Sequence, residues 1–206
     1  MKYRKTLNNC AVEPIAGLMR LIETQSKTTL VNWAVDYAGA RILPIYAKHY
    51  PLDNRPRLAL EYARKWLRKE VKLPEAKIYI LGCHQAAREA EGNPAAQAAA
   101  RAIGQASSSI HSAAHSLGLV LYGGLAAAYD QLGTDKPWAE YEEFALLECE
   151  MELHIELKGQ SSGGFSRGLH RHTELITEGT LFLDLLLILG HLRLILHEQL
   201  AILQLQ

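Results

Sequence analysis

An alanine-rich stretch over residues 95–132 limits the fold of this chain more than any other part of the sequence. Alanine has the highest intrinsic helix propensity, and the larger apolar residues of the stretch recur with helical periodicity. We predict two helices there, with a break between residues 104 and 108. Glycine has no side chain and alanine has a small one, so neighbouring helices can approach closely. The stretch therefore predicts a closely packed helical bundle.

Helical periodicity also dominates the rest of the chain, whereas alternating strand patterns are scarce. We therefore predict an all-α fold, a multi-helix bundle of about seven to eight helices. Pro44 should end or kink one helix, Asp53 should cap the next, and Gly92-Asn93-Pro94 should separate two more. The helices predicted outside the alanine-rich stretch span residues 12–24, 28–43, 54–71, KLPEAK to Gly92, and 138–157.

The character of the sequence changes after residue 157. We predict a helical domain over residues 1–157, a flexible linker over 158–172, and a hydrophobic, leucine-rich C-terminal helix over 173–206. Residues 180–203 have the length of a membrane span, but several side chains would be costly in hydrocarbon: Asp184, His191, Arg193, His197 and Glu198. We favour packing on the bundle or on a second copy in a homo-oligomer over membrane contact or an unordered tail.

Charge and cysteine content disfavour several kinds of partner. The 22 Lys and Arg balance the 22 Asp and Glu, so no overall field attracts nucleic acid or an anionic membrane. The three cysteines lie far apart without a CxxC spacing, which indicates reduced thiols rather than a zinc ribbon or a disulfide framework. The N-terminal MKYRKTLNNC lacks the apolar run of a secretion signal, so we predict a cytoplasmic location.

His111 and His115 lie four residues apart, which on a continuous helix places both on one face. Two such histidines can share a metal ion, but Ser112 stands where an HExxH motif carries glutamate. A third ligand would have to come from Cys83 or His84, and His84 shares a predicted solvent-facing stripe with charged residues: Lys77, Arg88 and Glu91. We therefore expect no cofactor and predict a structural or recognition network of small and polar residues, which adds Gly104, Ser108, Gly118 and Tyr122. A metal site held by His111, His115 and His84 stays open as the alternative.

Two helices are strongly charged. The helix after Asp53 carries a basic face, which consists of Arg57, Arg64, Lys65, Arg68 and Lys72. This face is either an ordinary solvated surface or a docking surface for an acidic partner; nucleic-acid binding is a weaker alternative because no aromatic residues interleave the charges. The glutamates of residues 140–156 supply a possible complement within the chain. A third charged position, Asp36, is predicted half-buried and paired with one of three arginines: Arg41, Arg55 or Arg57.

Several motifs, in the right order, resemble the bacterial immunity protein family that has the immunity-five-like domain. The resemblance covers residues 28–150 and begins with NWAVDYAGARILPIY and YPLDNRPRLALEYARKWL. Its most specific parts are D-x-R-P-R, from Asp53 to Arg57, then H-x-A-A-R, from His84 to Arg88, and H-x-x-x-H-x-x-G, from His111 to Gly118. After Cys149 the chain departs from the family pattern, since relatives end soon after that helix.

The resemblance implies an all-helical cytosolic protein that protects a bacterium from a toxin by binding it. The matching polar positions are Asp36, Arg41, Asp53, Arg55, Arg57, His84, Arg88, Arg101, His111, His115 and Asp130. With Tyr122, they are our candidates for partner binding or for a structural polar network, and we predict no catalytic residue. The alternatives are a metal-binding protein or metal-dependent hydrolase that uses His111 and His115, and a self-assembling helical scaffold.

Overall fold

The fold of the described chain is helical throughout. In this computed structural model the described residues are 6–7 and 13–161, with side chains described at 6–7 and 15–149. The helices are α1 (Glu13–Thr24), α2 (Lys27–Tyr37), a π-helical turn (Ala38–Ile42), α3 (Leu43–His49), α4 (Arg55–Leu67), α5 (Leu73–Glu89), α6 (Pro94–Ser108), α7 (His115–Leu132) and α8 (Trp138–Ser161). No strand occurs among these residues, so the predicted all-α class is confirmed. The predicted C-terminal helix, and the predicted linker beyond residue 161, lie outside the described residues.

Side chains accept hydrogen bonds from backbone N–H groups at the starts of α6 and α4, the second as predicted for Asp53, although Asn54 occupies the N-cap position of α4. The Asn93 side chain accepts a hydrogen bond from the backbone N–H of Ala96 at 3.0 Å, and Pro94 follows it in the first turn of α6. Asp53 likewise accepts from the Arg55 N–H at 3.0 Å, where α4 begins. These side chains replace the missing partners of the first amides of each helix.

Pro44 accounts for the π-helical turn between α2 and α3. Proline has no N–H, so the regular i→i−4 bond from residue 44 cannot form. The N–H of Leu43 instead reaches the carbonyl of Ala38, five residues back, and α3 begins with Pro44 in its first turn. The helix predicted over 28–43 therefore does not end at Pro44. One wider, π-helical turn precedes the proline, and helical structure continues in α3.

α6 lies at the centre of the bundle and is buried on nearly all sides. It packs most extensively on α7, and also on α5, α4 and α3. A buried glutamine ties it to α5, because Gln97 Nε2 donates to the carbonyl of Ala87 at 3.0 Å. The buried residues of α6 are mostly small: Ala95, Ala96, Gln97, Ala98, Ala99, Ala100, Ala102, Ile103, Gly104, Ala106, Ser107 and Ser108.

The break in the alanine-rich stretch falls at residues 109–114, later than the predicted 104–108. Two serine hydroxyls accompany the end of α6: Ser108 Oγ donates to the Gly104 carbonyl at 2.7 Å, and Ser109 Oγ to the Ala106 carbonyl at 2.6 Å. Both are local bonds from a serine hydroxyl back to a carbonyl of the preceding turn. His111 therefore lies in a turn and His115 begins α7, so the continuous stripe that we predicted through both histidines does not exist.

Membrane spanning can be assessed only for the part of the chain that is described. Within it, no helix combines the length and apolar character that a bilayer crossing requires.

The central position of α6 predicts that its alanines cannot be enlarged. Ala99 is fully buried, and Ala99→Leu should lower the free energy of unfolding by about 1–3 kcal/mol, because extra methylenes in a filled core force neighbours off their rotamers. Chemical denaturation measures this change. The control is Ala139→Leu at an exposed position of α8, which should change the same quantity by less than about 0.5 kcal/mol. Equal effects of the two substitutions would contradict the central placement of α6.

Candidate functional site

Three histidines come together where α5, α6 and α7 meet. The rings of His111 and His115 are 4.9 Å apart between centroids, at an angle of 63°. The His84 ring reaches the same region from α5, because it lies against Gly104 of α6 and Nδ1 of His115 lies 2.6 Å from Oε1 of the next residue, Gln105. His111 and His115 are therefore neighbours in the structure, although the two residues do not share a helix.

Gly104 of α6 provides the space that His84 occupies. A Cβ at position 104 would lie 2.5 Å from Cε1 and 2.7 Å from Nδ1 of the imidazole, which is closer than real contacts allow. The ring is only partly exposed: His84 lies on the same side of α5 as Lys77 and Arg88, as predicted, but its ring packs against Gly104. A glycine inside a helix is unfavourable unless a close approach requires it, and here the ring of His84 makes that close approach.

A second glycine makes the same kind of room on α7. Nδ1 of His115 lies 2.6 Å from Oε1 of Gln105, and a Cβ on Gly118 would come within 2.7 Å of that oxygen. With Oε1 as the acceptor, Nδ1 of His115 carries the proton and Nε2 is left for another partner. Gln105 was missed in the sequence because its role depends on a glycine of another helix.

Two arginines flank the histidines. Arg88 on α5 and Arg101 on α6 both lower the pKa of His84. Arg88 Nε donates to Gln85 Oε1 at 2.7 Å, while Nε of Arg101 is buried without a hydrogen-bond partner among the described residues. In that same part of the chain neither arginine forms an ion pair.

Burial lowers the pKa of all three imidazoles, and neighbouring cations lower it further at His84 and His111, so the neutral form is favoured at pH 7. Burial is the largest cause of the lowered pKa at all three. The cations next to His84 are Arg101 and Arg88, and the pKa of His111 is lowered further by His115, Lys77 and Lys27. Desolvation and like charge both disfavour the protonated ring.

The geometry of the described side chains does not assemble a metal site. Among them, no group of three or more His, Cys, Asp or Glu is placed to hold an ion. Cys83 is fully buried, and its Sγ faces the carbonyl of Ala100 at 3.2 Å. Burial raises the pKa of this thiol well above its usual value, so the side chain is a neutral donor to the α6 backbone.

The D-x-R-P-R motif builds a structural clamp rather than a part of the histidine cluster. Asp53 accepts from the Tyr46 hydroxyl at 2.7 Å and from Nη2 of Arg55 at 2.7 Å. Arg55 also pairs with Glu89 at the end of α5. The hydrogen bonds from Arg55 are the main reason that the pKa of Asp53 falls to about 2. The clamp joins α3, α4 and α5.

The other candidate residues are dispersed over the surface and core. Asp36 is exposed and pairs with Arg64 at 2.9 Å, so its predicted half-burial and its predicted partners are both wrong; a position near the end of α2 faces solvent. Arg41 lies 3.8 Å from the buried Glu148, and Asp130 lies 2.8 Å from Lys48. Tyr122 packs against the main core, and Arg57 is exposed.

Three of the five cations of the predicted basic face are paired, which weakens its predicted role as a docking surface. Arg64 pairs with Asp36, Lys65 with Glu61 and Arg68 with Glu70. The acidic run of α8 does not pair with α4 in the described residues; its Glu148 faces Arg41.

Cations without a carboxylate partner lie instead along one face of α5. We call this the α5 face, and it consists of Lys77, Ile78, Leu81, His84 and Arg88, at spacings that place them on one side of the helix. Ile78 is 66% exposed and Leu81 is 64% exposed. The α5 face therefore combines exposed apolar surface with cations that have no carboxylate partner among the described residues.

Comparison with known proteins gives one match. Residues 20–150 match the model of a family described as Imm-5 like putative immunity protein. Searches of curated proteins and of solved structures found no significant match.

The Gly104 space can be tested by filling it. Gly104→Ala should displace the His84 ring and raise its pKa towards the ordinary value, because the ring regains hydration; NMR titration of the imidazole measures this. The control is Gly82→Ala on α5, where a Cβ meets nothing within 4 Å. That substitution should stabilise the helix by about 0.5–1 kcal/mol and leave the His84 titration unchanged. An unchanged His84 titration in Gly104→Ala would show that the ring is elsewhere.

The Asp53 clamp predicts a pH-dependent loss of stability. The pKa of Asp53 in the folded protein is about 2, below the ordinary 3.8. The stabilisation by the ionised carboxylate is therefore present above about pH 4 and is lost as pH falls towards about 2. Asp53→Asn should therefore cost about 2 kcal/mol at pH 7, and the difference from the unsubstituted protein should shrink below pH 4 in denaturation experiments. Asp36→Asn, at an exposed pair, is the control and should cost under about 1 kcal/mol.

Proposed function

This chain belongs to the Imm-5 like immunity protein family, and we propose that it is a non-enzymatic helical binding protein that neutralises a bacterial toxin by direct contact. The family assignment supports the general kind of function. The contact mechanism is our inference from the surface described above, and its place of action is proposed to be the bacterial cytosol.

The α5 face is the observation that carries the proposal. Ile78 and Leu81 expose apolar surface that a partner would remove from water. Lys77 and Arg88 border them and form no ion pair among the described side chains. An acidic protein surface with an apolar centre complements this face in both charge and hydrophobicity.

The interior behind the α5 face favours a rigid contact. Cys83 and Gln97 tie α5 to α6 through hydrogen bonds to backbone carbonyls, at 3.2 Å and 3.0 Å. The pair of Arg55 with Glu89 fastens the C-terminal end of α5 to α4. Binding then requires little reordering of the helix, which lowers its entropic cost.

The toxin encoded beside the gene is the partner with which to test this proposal. Calorimetric titration of that toxin should give binding below micromolar Kd, together with inhibition of its activity. Leu81→Asp should weaken binding by about thirtyfold or more, since it places a carboxylate at the centre of a contact with an acidic surface.

The matched control is Leu52→Asp, at an aliphatic residue that is 93% exposed in the turn before α4. It makes the same chemical change outside the α5 face and should leave Kd within about twofold. No binding of the unsubstituted protein at micromolar concentrations argues against the function, whereas equal weakening by both substitutions argues against the α5 face.

A further inference from the structure

We propose that Arg88, Arg101, His84 and His115 form a binding pocket for an oxyanion at the junction of α5, α6 and α7. Its occupant in the toxin complex would be a carboxylate side chain of the partner. That second statement rests on the proposed function; the pocket itself does not.

Arg101 supplies the first argument. Its Nε is buried and has no hydrogen-bond partner among the described residues, and no carboxylate there pairs with its guanidinium. A buried N–H of a permanently charged group is costly when its bonding capacity is unused. An oxyanion supplies acceptors that match the planar fork of a guanidinium.

The charges around the pocket supply the second argument, because they share one sign. Arg101, Arg88 and His115 each lower the pKa of His84. Lys77 of α5 and Lys27 of α2 act in the same way on His111, which contacts the His115 ring. Among the described side chains, no carboxylate contributes to the pKa of these histidines. The permanent charges near the junction, Arg88 and Lys77 of α5, Arg101 of α6 and Lys27 of α2, are all positive, so an anion is the complementary ligand.

The third argument is that both imidazoles are held in place. Gly104 leaves the space for the His84 ring, where a Cβ would lie 2.5 Å from Cε1. Gln105 binds Nδ1 of His115 at 2.6 Å, which leaves Nε2 of that ring to face a ligand once protonated. Fixed donors bind an anion with less loss of side-chain entropy than mobile surface lysines do.

Oxyanion binding must be linked to protonation of these rings. A bound anion favours the charged imidazole and raises the pKa of His84 and His115. By the same linkage the oxyanion binds more tightly at pH 6 than at pH 8. The groups that oppose this protonation are the arginines and lysines named above, which stay charged over the whole range.

The test uses the full chain alone, with inorganic phosphate and acetate as probes and chloride at equal ionic strength as the reference. Both probes should raise the melting temperature and move the NMR titrations of His84 and His115 upward by about half a pKa unit or more. Arg101→Gln should abolish both responses, and Arg88→Gln, at an exposed position that does not threaten folding, should weaken them. Arg57→Gln removes an exposed charge from α4 and should retain them. Equal responses in Arg101→Gln and Arg57→Gln, or no response to either probe, would overturn the pocket.

A competition experiment separates the two sources of the oxyanion. If a toxin carboxylate occupies the pocket, phosphate should weaken toxin binding at least threefold in the unsubstituted protein and not in Arg101→Gln. If phosphate binds the pocket but leaves toxin binding unchanged, the ligand is a free oxyanion and the assignment to a toxin carboxylate is overturned. Toxin binding without any phosphate response would refute the pocket and leave the proposed function standing.

Discussion

Close approach of α6 to its neighbours is the constraint on which the rest of the structure depends. Ala96, Ala99 and Ala102 are fully buried, and side chains this small let other helices pack almost on the α6 backbone. That proximity brings Cys83 within 3.2 Å of the Ala100 carbonyl and the His84 ring against Gly104. The polar cluster at the junction therefore follows from how α6 is buried, because larger residues on α6 would separate the helices that carry its members.

The parts of the fold that depend on local chemistry could be predicted from the sequence. Asn93 with Pro94, and Asp53 before α4, act at the positions where a helix start needs them. The position of His84 could not be predicted in the same way, since a helical wheel assigns a residue to a face without showing what covers that face. The break in the alanine-rich stretch was displaced for a similar reason. Gly104 reads as a helix breaker in isolation, but in the bundle it is the contact point of His84, and the helix continues through it to Ser108.

The ion pairs also divide into those that helical spacing predicts and those that only the folded structure shows. The equal numbers of acidic and basic residues do not show which charges lack a partner in the folded protein. The pair of Lys65 with Glu61 follows from helical spacing, but that of Arg64 with Asp36, 28 residues earlier, does not. Such pairs neutralise Arg64, Lys65 and Arg68, three of the five cations predicted as a basic surface on and after α4. A composition with no net charge is thus compatible with local clusters of unpaired cations, because folding decides which charges meet.

Histidine suits the junction better than lysine because its charge is conditional. A neutral imidazole can be half-buried beside two arginines, where an ammonium group would add like-charge repulsion and a larger desolvation cost. The arginines then keep a constant positive field, and the rings add charge only when an anion arrives to stabilise it. In the absence of an anion the rings are neutral, so they add no electrostatic repulsion with the arginines. In its presence the same groups become additional donors, so attraction at the surface and stability of the interior do not conflict.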